Sequence, residues 1–252
     1  MRLYIVDAFT DTPFTGNPAG VVLLDEPADA SWMQSVAAEL KHAETAFVEL
    51  GEGPRPLRWF TPAVEVDLCG HATLATGHIL GGDQVFLTRS GELRTHAENG
   101  WVHMDFPVDP PAEASEDVTS ALPGVTVAGV FRGKTDILVR AATAAEVRAV
   151  KPNLDVVAGW PARCVIVTAP GDKPGIDFVS RVFGPAVGVP EDPVTGSAHC
   201  TLSPYWSQLL GRDELVGEQA SERGGVVRTQ LRGERVGLAG QAVTVSSGEL
   251  MV

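Results

Sequence analysis

Short apolar segments alternate with turn residues along the chain. The 27 glycines and 18 prolines fall largely between these segments, and short apolar runs bounded by Gly and Pro are typical of strands joined by tight turns. The pattern predicts strands at residues 3–9, 20–24, 45–50, 57–60, 84–88, 92–96, 101–106, 162–169, 178–183, 215–220, 226–230, 235–238 and 243–246. The chain is therefore predicted to be rich in strands.

Three segments have a helical pattern instead. Residues 30–40 carry apolar side chains near helical spacing, which predicts an amphipathic helix. Residues 69–80 and 196–210 are apolar on nearly every side. A helix of that kind is typically buried all round, so each is predicted to lie at the centre of a core.

The chain is predicted to consist of two similar halves. The Pro- and acid-rich residues 107–117 are the best linker candidate, which predicts halves at 1–112 and 113–252, with the last strands free to cross back to the first half. A strand, an acidic residue, a glycine turn and an apolar helix follow one another at 65–73 and again at 191–199. Glycine lets the backbone approach a ligand there, and the free N–H groups at a helix start favour anions. Each turn therefore suits a small carboxylate.

The charge balance excludes some classes of partner. With 19 basic and 32 acidic residues, the formal net charge is −13, and it is spread along the chain without an acidic tail. Nucleic acids and anionic membranes require clustered cations, so neither is expected as a partner. A small anionic substrate is compatible with the negative net charge, because the local field in a cleft can oppose it.

The cysteines and the N-terminal residues indicate a reducing compartment. Cys69, Cys164 and Cys200 are too few for a disulfide scaffold, and no CxxC pair predicts a structural zinc site. The first residues reach Asp7 before an apolar signal region could form, and no apolar run is long enough to span a bilayer. We expect a cytoplasmic protein.

Several cofactor and metal signatures are missing from the sequence. It contains no GxGxxG after a strand, no GxxxxGK[ST], no GxSxG and no HExxH. The sequence therefore gives no motif-based support for dinucleotide binding, P-loop chemistry, a hydrolase nucleophile elbow or a metal site. We expect no cofactor and no metal.

Four polar residues are candidates for function, and each also has a structural interpretation. Glu44 is either an exposed residue at a strand start or a partly desolvated carboxyl that exchanges protons. His71 is either a capping or core histidine or a donor to a substrate carboxylate. Asp192 and Ser197 flank the second glycine turn, where both types also serve as helix caps. Cys69 is either a reactive thiolate at a helix start or a small buried hydrophobe.

A series of motifs resembles one family closely. The motifs are VDAFT at 6–10, FTGNPAGV at 14–21, AETAF at 43–47, RWFTP at 58–62, EVDLCGHAT at 65–73 and GVPEDPVTGSA at 188–198. Each is modest alone, but together, in family order, they resemble the PhzF-like proteins, which include the phenazine-biosynthesis isomerases. That family is similar in fold to diaminopimelate epimerase and proline racemase. The resemblance implies an α+β fold of two similar halves, each a curved, mostly antiparallel sheet wrapped around a central helix.

The resemblance also implies an activity and a set of site residues. It implies a cofactor-independent isomerase of a small, cyclic carboxylate similar to trans-2,3-dihydro-3-hydroxyanthranilate, in which a proton moves from C3 to C1. The family's proton-carrying glutamate matches Glu44, and its other catalytic residues match His71 and Asp192. The implied substrate-binding residues are Asn17, Gly70, Gly196 and Ser197. A homodimer and a role like that of antibiotic or secondary metabolism are further expectations from the family.

Two other functions stay open at this point. One is an epimerase or racemase of an amino or hydroxy acid that uses Glu44 and Cys69 as a mixed pair. The racemase relatives use one cysteine per half, and here Cys69 holds the first such position while Pro193 holds the second, so a two-thiol racemase is unsupported. The other is a non-catalytic homologue that binds small acids.

Overall fold

A computed structural model describes all 252 residues, which form two compact units. The first unit comprises Met1–Asp105 together with Ala239–Val252, and the second comprises Phe106–Leu238. The predicted halves divide at residues 112/113, whereas the compact units divide at 105/106. Strand pairing and backbone hydrogen bonds hold residues 108–113 to the rest of the second unit.

The two units contain seventeen strands and five α-helices between them. The strands are β1 Arg2–Ala8, β2 Asn17–Leu24, β3 Glu44–Glu49, β4 Arg55–Phe60, β5 Glu65–Val66, β6 Gly82–Thr88, β7 Gly91–Glu98, β8 Trp101–Pro107, β9 Ala112–Glu113, β10 Val127–Arg132, β11 Ile137–Ala141, β12 Val165–Pro170, β13 Phe178–Gly184, β14 Val189–Asp192, β15 Glu214–Gln219, β16 Gly225–Arg232 and β17 Arg235–Glu249. The helices are α1 Ala30–Leu40, α2 Gly70–Leu80, α3 Ala144–Ala149, α4 Leu154–Ala158 and α5 Gly196–Leu210, and a short 3₁₀ turn covers Pro185–Val187.

The sheet of the first unit is mostly antiparallel. Strand β1 pairs with β17 on one side and β2 on the other, and the order continues through β3, β4, β6, β7 and β8. The β2–β3 and β4–β6 pairs are parallel. Parallel neighbours must be joined by a crossover connection, and α1 and α2 each form one. The short β5 pairs with the end of β4 and leads into α2.

Helix α2 is the centre of the first unit. It packs against β1, β2, β3, β6 and β7, and every residue from His71 to Gly77 is buried. Gly77 allows this close approach, because a Cβ there would lie 2.8 Å from Thr95 Oγ1 and 3.0 Å from Val102 Cγ1. The helix predicted as buried on every side is thus the core of this unit.

The second unit repeats the strand pairing of the first. Its strand pairs alternate between antiparallel and parallel in the same order as β1 to β7 of the first unit, with β5 left out. The pairs are antiparallel β10–β11, parallel β11–β12, antiparallel β12–β13, parallel β13–β15 and antiparallel β15–β16. Helices α3 and α4 make the first parallel crossover, and α5 makes the second. The short β14 pairs with β13 before α5, as β5 pairs with β4 before α2.

Helix α5 is the centre of the second unit. Its residues Leu202 and Trp206 pack with side chains from β11, β12, β13 and β15. The Trp206 ring stacks on Phe178 at 5.9 Å between centroids, and its indole N–H donates to Thr168 Oγ1 at 3.0 Å. A buried indole whose N–H has a partner adds packing area without a desolvation penalty.

These observations confirm the predicted α+β class, with a mostly antiparallel sheet and one buried helix in each unit. The predictions of helices at 30–40 and 196–210 are correct, and the predicted helix at 69–80 begins one residue later. The prediction of separate strands at 235–238 and 243–246 is wrong, because β17 runs unbroken from 235 to 249. Gly240 lies between the two predicted strands, but it does not form a turn. It allows close packing instead, because a Cβ there would lie 2.4 Å from the Phe9 ring.

Candidate active site

Glu44 begins a buried strand in the first unit. Helix α1 ends at Leu40, Lys41 reverses the chain in a left-handed conformation, and Glu44 opens β3 beside Ala19 of β2. The next four residues of β3 are buried, whereas the Glu44 side chain keeps 19% of its surface exposed. Its carboxyl group is thus mostly enclosed by protein but accessible to a small molecule.

The glycine turn before α2 places Cys69 and His71 beside this carboxyl group. Cys69 occupies the cap position in an extended conformation, and Gly70 is the first residue of the helix. The Nε2 atom of His71 lies 3.3 Å from Glu44 Oε2, and its Nδ1 atom lies 3.5 Å from Cys69 Sγ. The imidazole therefore lies beside both a carboxyl group and a thiol.

The His71 ring is neutral at physiological pH. Burial, with a smaller contribution from the charge of His42, lowers its pKa from 6.5 to about 3. A neutral imidazole carries one proton, and with that proton on Nε2 the ring presents a donor toward the Glu44 carboxyl group. The Nδ1 atom then faces the Cys69 thiol as an acceptor.

Asn17 lies near this group along the sheet. It is the first residue of β2, is fully buried, and pairs with Ala8 of β1. Strand β2 is also the parallel neighbour of β3, which begins with Glu44. Asn17, Glu44, Gly70 and His71 therefore all belong to strand and helix starts of the first unit.

Asp192 and Ser197 belong to the corresponding turn of the second unit. Asp192 ends β14, Thr195 occupies the cap position of α5, and Gly196 is the first helical residue. The Thr195 hydroxyl donates to Asp192 Oδ2 at 2.6 Å. The buried Gln219 accepts from the Thr195 N–H at 2.9 Å and donates to the Asp192 carbonyl at 2.7 Å. These bonds fix the turn that carries Asp192.

An arginine that the motifs did not single out holds Ser197. Arg163 Nη1 donates to Ser197 Oγ at 3.0 Å, while its Nε and Nη2 donate to the two carboxylate oxygens of Asp136 at 2.9 and 2.5 Å. Burial lowers the pKa of Arg163, but the hydrogen bonds and charge of Asp136 outweigh it and raise the pKa overall. A permanent cation thus stands at the start of α5. In the sequence Arg163 lies within the predicted strand at 162–169, and no motif marks it.

The first unit also groups residues that can bind a metal. Glu44, Cys69 and His71 each offer one ligand atom, and these atoms lie within 4.8 Å of one another. The sequence carried no metal signature, because Glu44 is far along the chain from the other two. The spacing of Cys69 and His71, with one residue between them, was the only local indication.

Comparison with known proteins identifies the family. The family model PhzC-PhzF, described as phenazine biosynthesis-like protein, matches residues 6–248. The chain belongs to the PhzC-PhzF family. A relative named as an uncharacterized isomerase of Halalkalibacterium halodurans is 42% identical over 99% of this chain and 98% of its own length. The crystal structure of a PhzF-family protein of Enterococcus faecalis has a TM-score of 0.95 at 35% identity, with 100% and 99% of the two chains covered.

A more distant structure extends the fold beyond the PhzC-PhzF family. A probable proline racemase from Agrobacterium radiobacter has a TM-score of 0.61 at 10% identity, with 100% of this chain and 93% of that chain covered. The likeness concerns the fold alone, and it confirms the racemase-like fold expected from the motifs. In this PhzC-PhzF protein no helix has the length and apolar character needed to cross a bilayer.

Proposed function

We propose that this PhzC-PhzF protein is a cofactor-independent isomerase that moves a proton between two carbons of a small carboxylate substrate, with Glu44 as acid and base. The observation that carries the proposal is a mostly buried carboxyl group 3.3 Å from a neutral imidazole. Membership of a family with relatives named isomerases supports the same reaction type.

The surroundings of Glu44 suit proton transfer better than those of a neighbouring glutamate. Glu65 accepts two hydrogen bonds from Arg58, at 2.7 and 2.9 Å, and this cation lowers the pKa of Glu65. A carboxylate clamped in this way stays ionised. The Glu44 carboxyl group instead lies 3.3 Å from the Nε2 atom of a neutral His71. It can therefore take a proton from one carbon and return it to another on the same face.

The proposed substrate is similar to trans-2,3-dihydro-3-hydroxyanthranilate, on the family resemblance. Asn17 and Gly70 are proposed as contacts in the first unit, and Asp192, Gly196 and Ser197 in the second. Asp192 would orient an amino group, with His71 assisting proton movement. The start of α5 suits a carboxylate, because backbone N–H groups and the Arg163 cation favour negative charge there.

The distance between Glu44 and Cys69 argues against the mixed-pair epimerase. An acid and a base on opposite faces of one carbon stand about 6–7 Å apart, since each reacting atom lies about 3–3.5 Å from that carbon. The ligand atoms of Glu44 and Cys69 lie within 4.8 Å of each other. This spacing favours transfer on one face by Glu44, with Cys69 outside the proton path.

Deuterium incorporation tests the proposal. The protein is incubated in D₂O with dihydro-hydroxyanthranilate and a panel of cyclic and acyclic amino and hydroxy acids, and both mass shift and product formation are measured. We expect conversion by the wild type and by the control Glu49→Gln, at the other end of β3, and none by Glu44→Gln. Conversion unchanged in Glu44→Gln would refute the role of Glu44. Ligand binding without conversion of any compound would favour a non-catalytic homologue.

A homodimer and a cytoplasmic location are part of the same proposal, and both depend on the family resemblance and the sequence. Sedimentation equilibrium of the full chain would test the dimer. A monomer at micromolar concentration would overturn it.

A further inference from the structure

The Glu44, Cys69 and His71 side chains combine three different ligand types in one place. A carboxylate oxygen, a thiol sulfur and an imidazole nitrogen lie within 4.8 Å of one another, and the sulfur and ring belong to residues only two positions apart. The first turn of α2 and the first residue of β3 fix all three backbones. The group is therefore held by regular structure on both sides.

The distances resemble those between ligands of a tetrahedral zinc ion. Zn–S is about 2.3 Å and Zn–N or Zn–O about 2.0–2.1 Å, so neighbouring ligand atoms around one ion stand roughly 3.4–3.6 Å apart. The observed contacts are 3.3 Å for Glu44 Oε2 to His71 Nε2 and 3.5 Å for Cys69 Sγ to His71 Nδ1. One ion uses only one ring nitrogen, so only one of these two contacts can be an edge of the site. The other two edges are at most 4.8 Å long, and each must close by up to about 1 Å. Rotation about the Cα–Cβ bond of Cys69 moves its sulfur in this range.

The chemistry of the three side chains also suits an ion. A metal binds an unprotonated imidazole nitrogen and an ionised thiol. The thiol of Cys69 would release its proton on binding, as zinc-bound cysteines do. Three protein ligands leave a fourth position open for water, and the exposed fraction of Glu44 gives a route of entry.

We propose that Glu44, Cys69 and His71 form a binding site for Zn²⁺ or a similar divalent ion that accepts sulfur ligands, and that the bound ion inhibits the enzyme. The inhibition rests on the proposed function, because the ion would occupy the carboxylate that carries the proton. Metal binding itself depends on the three side chains alone.

Cobalt titration tests the binding step without substrate. Co²⁺ coordinated by a thiolate gives a sulfur-to-metal charge-transfer band in the near ultraviolet, and Zn²⁺ displaces it. The wild type, Cys69→Ser and the matched control Cys164→Ser are titrated after chelator treatment. Cys164 is also buried, and burial raises the pKa of its thiol to about 12. We expect the band in the wild type and in Cys164→Ser, its loss in Cys69→Ser, and Zn²⁺ binding at least about tenfold weaker in Cys69→Ser.

Two results would overturn the site. One is the absence of a charge-transfer band in the wild type, and the other is a band that persists in Cys69→Ser. Glu44→Gln provides a second variant that keeps the cysteine, so it should retain the band with weaker affinity even if Cys69→Ser folds poorly. Affinity equal to that of the wild type in Glu44→Gln would remove Glu44 from the ligand set.

The inhibition step is then measured with whichever compound the enzyme converts. One equivalent of Zn²⁺ should abolish conversion by the wild type, a chelator should restore it, and Cys69→Ser should resist inhibition. Conversion that continues at saturating Zn²⁺ would refute inhibition. A thiolate–cobalt band without conversion of any compound would count against the proposed function alone, whereas Glu44-dependent conversion without the band would count against the metal site alone.

Discussion

The ion pair between Asp136 and Arg163 predicts an asymmetric loss of stability. The Asp136 side chain is 2% exposed and the Arg163 side chain 35% exposed, with two hydrogen bonds joining them. Removing one partner of a buried pair costs about 3–5 kcal/mol, because the other charge stays buried without compensation. In Arg163→Met the enclosed Asp136 carboxylate keeps the hydrogen bond from the Thr135 hydroxyl but loses both bonds from the guanidinium. We therefore expect the free energy of unfolding to fall by about 3–5 kcal/mol.

Asp136→Asn should lower the free energy of unfolding by less than Arg163→Met does. The guanidinium that remains is a third exposed, so water solvates part of its charge and we expect a loss of about 2 kcal/mol. The double variant removes both charges, so its loss should fall short of the sum of the single losses by about 2 kcal/mol.

Equilibrium urea unfolding of all four proteins at pH 7, followed by tryptophan fluorescence, measures these differences. A larger loss for Asp136→Asn than for Arg163→Met would refute the reasoning from exposure. Losses that add to within about 0.5 kcal/mol would show that the two side chains are not coupled.

Two further predictions concern the central helices. Gly77→Ala gains about 1 kcal/mol of helix propensity but forces its methyl group to 2.8 Å from Thr95 Oγ1, so we expect a net loss of up to about 2 kcal/mol in the free energy of unfolding. The loss should shrink in Gly77→Ala/Thr95→Ala, and an equal loss in both proteins would exclude the contact as its cause. Burial also lowers the pKa of His199 to about 4, so the unfolded chain takes up a proton that the folded chain refuses between about pH 6.5 and 4. Stability should fall as the pH decreases through this window, by up to about 1.4 kcal/mol per pH unit from this residue. In urea unfolding at several pH values, His199→Gln should show a slope shallower by that amount, and an unchanged slope would contradict the prediction.

The long periodic elements were predictable from sequence, and the short ones were not. Helices α1 and α5 match their predicted bounds because a pattern sustained over three or four turns is unambiguous. Strands β10 and β11 were not predicted, since Gly129 interrupts the apolar residues of β10 and only three apolar residues precede Arg140 in β11. Helices α3 and α4 are six and five residues long, too short to show a period. The capping box of Thr143 and Glu146 at α3 was the available signal.

In the candidate site, the residues within motifs were predictable from sequence, whereas contacts between residues far apart in the chain were not. The motifs located Glu44 and His71, and the structure places their side chains in contact within the first unit. The support of Ser197 by Arg163 joins residues 34 positions apart. No local pattern reports such a contact, because it joins the residue two positions before β12 to the start of α5. The metal-ligand group was hidden for the same reason, since its carboxylate and its sulfur come from separate motifs.

The path of β17 sets an order in which the two units can be completed during synthesis. The second unit is one continuous stretch, Phe106–Leu238, whereas the first needs Ala239–Val252 as well. Residues 242–249 pair along the whole of β1, so until they emerge one edge of β1 lacks its hydrogen-bond partner. The unit that begins the chain is therefore the last to close. While the second unit is being made, the unpaired β1 edge of the first unit is exposed to wrong strand pairing.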